Sequence, residues 1–390
     1  MNLSYSPDEE RFRADLRAWL EANPPGPEPE ALDEWVAYGK RWQRRLWEAG
    51  WCGIAWPAAY GGRGASLIQQ IIFQEEMARV GAPQLINLAG LTMGGPVLIA
   101  HGTEEQKRRH LRPILAADEI WCQGFSEPNA GSDLASLRCK AERDGDDYVI
   151  NGQKIWTSYG HVAEYCEMLV RTDFEAPKHK GITWLIVPMD RDGIDIRPLL
   201  TMEGSSEFCE VFFDDVRVPV VNRVGDENDG WRVANVTLSF ERGTAFVSDV
   251  LQTQVLVRDL AELARKITSR GATKWEDAGL RRDLGKIAAE LDALWALTKR
   301  NISQAQRSGL VGPGGSAFKL AFTELRNRLG DLAMHLLDRA SLSLDDIGDL
   351  RVDEQMRGRF WALSMTIAAG SSQVQRNIVA ERILGLPRDR

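Results

Sequence analysis

Apolar residues recur every three to four positions in the first part of the chain, a spacing typical of amphipathic helices. Thr103 followed by two glutamates is a helix-start signal, and Gly50 is expected to cap the C-terminus of a helix. We therefore expect an N-terminal helical domain over residues 1–119. Its predicted helices are Asp8–Leu20, Ala31–Gly50, Leu67–Val80 and Glu104–Ala116.

The apolar spacing changes to every second residue over residues 120–225, which predicts a β domain. Asn151-Gly152 lies between two apolar runs, Tyr148–Ile150 and Gln153–Trp156, and this dipeptide favours a hairpin with a type I′ turn. The short strands and polar turns predict a small antiparallel barrel or sandwich. Further predicted strands are Met168–Arg171, Thr183–Pro188, Ile194–Pro198 and Cys209–Phe213.

The helical spacing returns over residues 226–390 and predicts a C-terminal four-helix bundle. The expected fold class is therefore mostly α with a central β domain. The four predicted helices are Trp231–Ile267, Gly279–Arg307, Ala317–Leu337 and Asp353–Leu384.

Composition and charge argue against nucleic-acid-binding, membrane-spanning and secreted proteins. The 390 residues are 44% hydrophobic and 27% charged, close to the average for globular proteins. The formal charge of −8 argues against a nucleic-acid partner, and no apolar stretch is long enough to predict a membrane span. The acidic N-terminus lacks an apolar core like that of a secretory signal. We expect a cytoplasmic protein.

The reactive residue types support neither hydrolysis by a serine triad nor metal catalysis. The five cysteines are scattered without a C-x-x-C pair, which fits reduced thiols. The five histidines lie in no H-E-x-x-H spacing, and no G-x-S-x-G occurs. G-x-G-x-x-G is also absent, so no Rossmann domain is indicated.

The segment Gly124–Asp133, GFSEPNAGSD, combines small residues, hydroxyls and a proline at the start of the β domain. Such a segment can offer backbone N–H groups and hydroxyls to a polar planar ligand. Taken alone, it is equally compatible with an ordinary turn.

Four segments together resemble the signatures of the acyl-CoA dehydrogenase family. They occur in the family's order and spacing, and they span nearly the whole chain. They are Gly53–Gly62, Gly124–Asp133, Asn151–Ser158 and Gly370–Asn377. The resemblance implies FAD as cofactor and an acyl-CoA thioester as substrate, with the cofactor held between domains and between subunits.

The same resemblance assigns residues to the flavin ring. Phe125 and Ser126 would present backbone and hydroxyl groups to its pyrimidine side, with Gln123 contributing to the same site. Trp156 would flank the isoalloxazine and Ser158 would hydrogen-bond near N5. The alternative for Trp156 is plain core packing.

Other residues would contact the more distant parts of cofactor and substrate. Ser371 and Gln373 would meet the ADP part of FAD, with Ser371 standing where the family more often has threonine. Ser132 would lie along the CoA arm, and Arg242 is a further candidate substrate-binding residue.

The family places its catalytic glutamate at either of two positions. The position before the Gly-Ser of the last signature is Ala369, which cannot accept a proton. The other, on the first long helix of the bundle and directly before an arginine, is Glu241, as in isovaleryl-CoA and long-chain members. Glu241 is therefore the candidate base, and the alternative is a surface charge pair with Arg242. The backbone N–H of Ala369, with a ribityl hydroxyl of FAD, would form the oxyanion hole.

Two family segments that contact the adenine end of FAD across the dimer are missing. The Phe-Gly segment is replaced within Arg265–Asp277, and Gly-Gly-x-Gly-Tyr is replaced by Leu344–Asp349. Two readings stay open: a homotetramer that holds adenosine with other residues, or one subunit of a heterotetramer.

Three functions remain possible at this point. The first is a dehydrogenase of β-oxidation that passes electrons to electron-transfer flavoprotein. The second is an acyl-CoA oxidase or flavin monooxygenase of the same fold, and the third is a non-catalytic partner subunit. The acyl group is open among straight, branched, cyclic and steroid-like chains, and the helix-borne base favours a branched or bulky one.

Overall fold

The computed structural model describes residues 5–240, 247–269, 271–308, 314–348 and 350–387. The first of these ranges opens with the predicted helices, and two of them begin with reciprocal side-chain caps. Ser6 accepts a hydrogen bond from the N–H of Glu9, and the Glu9 side chain returns one to Ser6. Thr103 forms the same reciprocal cap with Gln106. The helices are α1 (Pro7–Ala22), α2 (Leu32–Glu48), α3 (Leu67–Arg79), α4 (Gly95–His101) and α5 (Glu104–Ala116).

Helix α4 was not predicted, because it is short and the turn that leads into it begins and ends with glycine. A π-helical turn, Gly90–Gly94, precedes it. Gly95 lies against the Trp56 ring, where an added Cβ would stand 2.1 Å from Cζ2. The Trp56 indole N–H donates to the carbonyl of Leu91 at 2.8 Å. Close approach of this ring, rather than helix propensity, explains the glycine at position 95.

The central zone forms an eight-stranded sheet in the order β6-β7-β3-β2-β4-β5-β8, with β1 paired to β4. Most pairs are antiparallel, as predicted, but β4 runs parallel to β1 and, at one pair, to β2. The sheet is therefore mixed. The strands are β1 (Trp121–Gly124), β2 (Lys140–Asp144), β3 (Asp147–Ser158), β4 (Tyr165–Arg171), β5 (Ile182–Pro188), β6 (Ile194–Leu199), β7 (Phe208–Pro219) and β8 (Arg223–Val224).

The hairpin predicted at Asn151-Gly152 is wrong, because β3 continues through both residues. The turn lies earlier, where Asp144 pairs with Asp147 around Gly145, whose φ is +63°. At Asn151 the pairing with β7 shifts register, and the Asn151 amide exchanges hydrogen bonds with Asp215 across this bulge. Pairing with a long neighbour strand therefore overrides the local turn signal.

The two faces of the sheet pack on different cores. On β4, Cys166 and Met168 face a core shared by most of the strands, whereas Leu169 faces the core of the N-terminal helices. All five cysteines are buried and none is in a disulfide. None of the described helices combines the length and apolarity that a membrane span requires.

The C-terminal zone is helical, which confirms the predicted fold class. Residues 241–246, within the predicted helix Trp231–Ile267, lie outside the described part. The helix predicted over Asp353–Leu384 is interrupted by a turn in which Ala369 and Gly370 have φ of +52° and +87°. The elements are α6 (Gly230–Phe240), α7 (Val247–Lys266), β9 (Thr268–Ser269), β10 (Ala272–Thr273), α8 (Ala278–Ser308), α9 (Gly314–Leu337), α10 (Val352–Met365) and α11 (Ser372–Ile378).

Candidate active site

The two segments predicted to face the flavin ring are joined by one buried lysine. Lys154, on β3, has no solvent exposure. Its Nζ donates to the carbonyl of Phe125 at 3.1 Å and to Glu127 Oε1 at 2.8 Å. A buried charge is tolerated only when it is paired and hydrogen-bonded, as here. The structure thus brings residues 124–127 against β3.

Glu127 carries this link into a third segment. Its Oε1 also accepts from the N–H of Cys139 at 2.8 Å, and its Oε2 accepts from the N–H of Arg138 at 2.7 Å. The residue itself is 9% exposed. One carboxylate therefore holds the chain just before β2 against the segment that follows β1.

Beside the Lys154–Glu127 ion pair, Ser126 keeps hydrogen-bond donors that have no acceptor among the described residues. The carbonyl of Ser126 accepts from the N–H of Ile155 at 3.0 Å. The N–H and hydroxyl of Ser126 form no hydrogen bond with any described residue. Phe125 as a whole is 4% exposed, with its ring in the core and its carbonyl bound by Lys154. The contact of residues 125 and 126 with a flavin stays a prediction.

Trp156 is turned out of the core by a bulge. The pairing of β3 with β7 shifts between Lys154 and Thr157, and Trp156 has φ of +61°, rare for a large side chain. Trp156 is 57% exposed, and its ring meets that of Phe208 edge to face, with 5.8 Å between the centroids. The core-packing alternative is therefore excluded, while contact with a flavin stays a prediction. Ser158, two residues on, is also exposed.

A half-buried glutamate that the sequence did not indicate, Glu207, supports the end of β3 through its backbone carbonyl. The N–H of Tyr159 donates to the carbonyl of Glu207 at 2.6 Å, and the Tyr159 ring stacks on Trp35. Burial and the Glu203 carboxylate raise the pKa of the Glu207 carboxyl to about 7, against a weaker lowering by a hydrogen bond from Tyr159. This carboxyl thus titrates close to neutral pH.

Gln123 lies on the face of β1 that packs on the N-terminal helices. Its Nε2 donates to Glu167 Oε1 at 3.0 Å and approaches Met93 Sδ at 3.4 Å. Glu167 is fully buried on the neighbouring strand. The amide is thereby fixed in orientation, with both donated contacts directed into the protein.

Ser132 lies on the rim formed by two loops. The adjacent Asp133 accepts from Lys178 at 2.8 Å, which holds its pKa below the usual range. Arg171 donates to the carbonyls of Ala135, on the loop after β1, and of Lys178, on the loop after β4. Its guanidinium therefore links the two loops. Ser132 itself is exposed.

The turn between α10 and α11 presents the Ala369 backbone. Gln375 Nε2 donates to the carbonyl of Ala369 at 3.0 Å, and Lys319 Nζ donates to the carbonyl of Gly370 at 2.6 Å. The N–H of Ala369 has no acceptor among the described residues. Ser371 caps α11 by accepting from the N–H of Val374.

The remaining predicted residues are placed as follows. Gln373 is exposed on α11, which packs on α9. Glu241 and Arg242 lie outside the described residues, directly after the end of α6 at Phe240.

The residues present fit a flavin. Such a ring needs hydrogen-bond donors for its carbonyl edge and an aromatic or apolar cover. The free N–H of Ser126, the exposed Ser158 hydroxyl and the outward-turned Trp156 supply these. The His, Cys, Asp and Glu side chains of the described residues form no cluster suited to a metal ion.

Sequence reasoning named the residues expected to face the flavin but gave Lys154, Glu127 and Glu207 no role. One signal was available for Lys154. It occupies a buried position of a strand, where a lysine requires a partner. Glu207 follows a polar loop and gave no such signal.

Three family models match the chain: the acyl-CoA dehydrogenase N-terminal domain at residues 6–118, the middle domain at 122–216 and the C-terminal domain at 228–384. "Acyl-CoA dehydrogenase IpdE1" of Mycobacterium tuberculosis is 40% identical over 98% of this chain and 99% of its own. The crystal structure of the ChsE4-ChsE5 complex from the same organism aligns over 100% of both chains, with a TM-score of 0.86 and 36% identity. The "Tcur3481-Tcur3483 steroid ACAD" aligns equally fully, with a TM-score of 0.86 and 32% identity.

Proposed function

Because the chain belongs to the acyl-CoA dehydrogenase family, we propose that it catalyses FAD-dependent α,β-dehydrogenation of an acyl-CoA thioester to the trans-2-enoyl-CoA. The observation that carries this proposal is the junction of the two flavin segments. Lys154 holds the Phe125 carbonyl against the strand that presents Trp156 and Ser158. The donor pattern left open there is that of a flavin site.

The α-proton is removed by Glu241. A carboxylate suits this step, since burial beside a bound thioester raises its pKa toward the working range. Ala369 cannot do so, but its N–H, which has no acceptor among the described residues, donates to the thioester oxygen as negative charge develops there. When bound, FAD is the acceptor of the β-hydrogen as hydride.

The protein groups around the cofactor bind it and shield it from water. Phe125 and Ser126 hold the pyrimidine side through backbone and hydroxyl groups, Trp156 covers the ring against water, and Ser158 donates near N5. Ser371 and Gln373 meet the ADP part from the same or a neighbouring subunit. Ser132 and Arg242 contact the substrate.

We propose that electrons leave to electron-transfer flavoprotein and that the enzyme works in the cytoplasm as a tetramer. A heterotetramer is the better-supported form, because the ChsE4-ChsE5 and Tcur3481-Tcur3483 names each join two different components. The absence of the Phe-Gly and Gly-Gly-x-Gly-Tyr segments agrees with adenine contacts supplied by a second chain. The steroid designation of the second relative favours a bulky, polycyclic acyl group.

The test is a panel of acyl-CoAs with straight, branched, cyclic and steroid-like chains, added anaerobically to the purified flavoprotein. The proposal expects loss of oxidised-flavin absorbance with at least one bulky acyl-CoA. Oxygen consumption in place of reduction of a one-electron acceptor would instead identify an oxidase. No bleaching by any acyl-CoA, either alone or with a co-expressed partner chain, would overturn the proposal.

A further inference from the structure

The ion pair between Lys154 and Glu127 is the most deeply buried one that includes a lysine in the described residues, with side-chain exposures of 0% and 9%. Removing both charges from water is costly, and apolar side chains of similar size usually stabilise a fold as well or better. Packing alone therefore does not account for this pair.

The two side chains instead converge on backbone groups. The ammonium of Lys154 binds the carbonyl of Phe125, and the Glu127 carboxylate binds the N–H groups of Arg138 and Cys139. The segment that follows β1, the second half of β3 and the chain entering β2 thus meet at one point. Hydrogen bonds of this kind, with a charged partner, are shorter and stronger than neutral ones.

On two of the three segments joined here, the held residues are predicted flavin contacts or lie close to them in sequence. Ser126 lies between Phe125 and Glu127, and Trp156 lies two residues after Lys154. Ser126 also binds β3 directly through the N–H of Ile155. Movement of either segment would change the separation of the Ser126 donors from the Trp156 ring.

We infer that Lys154 and Glu127 are positioning residues for the flavin: together they fix the Phe125–Ser126 backbone relative to Trp156 and Ser158 before the cofactor binds. This inference rests on the proposed function. A site ordered in advance loses less conformational freedom on binding, so its ligand binds more tightly.

The alternative is a role in fold stability only, and a pair of variants separates the two. Lys154→Met leaves the Glu127 carboxylate buried without its partner, so both folding and flavin binding should weaken. Adding Glu127→Gln removes that unpaired charge. The double variant should recover thermal stability of the apoprotein, yet it still lacks the ammonium that binds the Phe125 carbonyl.

The experiment compares three proteins with the unmodified one: Lys154→Met, the double variant, and Lys178→Met. The last breaks an exposed ion pair between Lys178, on the loop after β4, and Asp133, on the loop that also holds Glu127. Apoprotein melting is followed by circular dichroism and the flavin Kd by quenching of FAD fluorescence. For the double variant we expect near-normal melting with a Kd raised about tenfold or more, the effect of losing a charge-assisted hydrogen bond. Lys178→Met should change neither.

Two outcomes would overturn the inference. One is a double variant that regains both stability and flavin affinity, and the other is a double variant that fails to fold, since the pair would then serve stability. Failure of the proposed function is detected separately: the unmodified protein would then bind no FAD under any condition, whatever the variants do.

Discussion

Trp156 meets Phe208 edge to face, with 5.8 Å between the ring centroids and 83° between the ring planes. Both rings lie beside the register shift between β3 and β7. The bulge, not the burial of the ring, sets the direction of the indole. A large side chain held at φ of +61° is a strained arrangement of the kind that clusters at functional sites.

Replacement of Trp156 by alanine should weaken flavin binding more than folding. The exposed indole contributes little to the core, so we expect the free energy of unfolding to change by less than about 1 kcal/mol. Loss of one aromatic contact should raise the flavin Kd about fivefold. Fluorescence titration measures this. Trp156→Phe keeps an aromatic ring and is the control; an unchanged Kd in Trp156→Ala would contradict a role beside the ring.

Glu241→Gln should keep FAD bound but abolish its bleaching by acyl-CoA, because an amide cannot accept the α-proton. The stopped-flow flavin spectrum measures both properties. Glu262→Gln, an exposed carboxylate on α7, is the matched control and should bleach normally. Full bleaching in Glu241→Gln would remove Glu241 from the mechanism.

Glu207 should make the folded protein less stable as the pH rises. Its folded pKa of about 7 lies above the ordinary value of 4.5. Between these values the folded state holds a proton that the unfolded chain releases, so stability from this group falls across that window and is gone above pH 7.

Glu207→Gln removes this dependence. Its melting temperature should exceed that of the unmodified protein more at about pH 8 than at about pH 5.5. Glu175→Gln, an exposed carboxyl, should give a difference that does not vary with pH. Equal differences for both variants would show that the surroundings of Glu207 do not raise the pKa of its carboxyl.

Two glycine substitutions should change stability in opposite directions. In Gly95→Ala the new Cβ meets the rigid Trp56 ring at 2.1 Å, and we expect a loss of about 2 kcal/mol from overpacking. Gly285→Ala, on an open face of α8 with no atom within 4 Å, should gain about 0.8 kcal/mol from helix propensity. Urea denaturation midpoints measure both. A neutral Gly95→Ala would mean that the ring moves freely.

The fold was predictable where one pattern dominates. The strand of residues 182–188 is buried on both faces, and a continuous apolar run marks it. Asn151-Gly152 misled because its turn preference is local, whereas β7 pairs with the whole length of β3. The break at Ala369 was equally hidden, since alanine favours a helix and the left-handed turn depends on Lys319 and Gln375.

The motifs of the site could be predicted from the sequence, but the contacts that hold these motifs together could not. Resemblance pointed to Ser126, Trp156 and Ser158. It gave no account of what holds them together, because Lys154 and Glu127 are 27 residues apart and meet only once three strands have paired. Glu207 and Tyr159 are 48 residues apart and are linked in the same way.

The five buried cysteines make the native surface inert to thiol-directed labels. Each of them is no more than 2% exposed, so maleimide dyes should react with none of them in the folded protein. A single cysteine introduced at an exposed position, such as Ser206 or Glu175, would therefore carry the only dye. Distances between such dyes could then report how a partner chain and an electron acceptor dock, without removing any natural thiol.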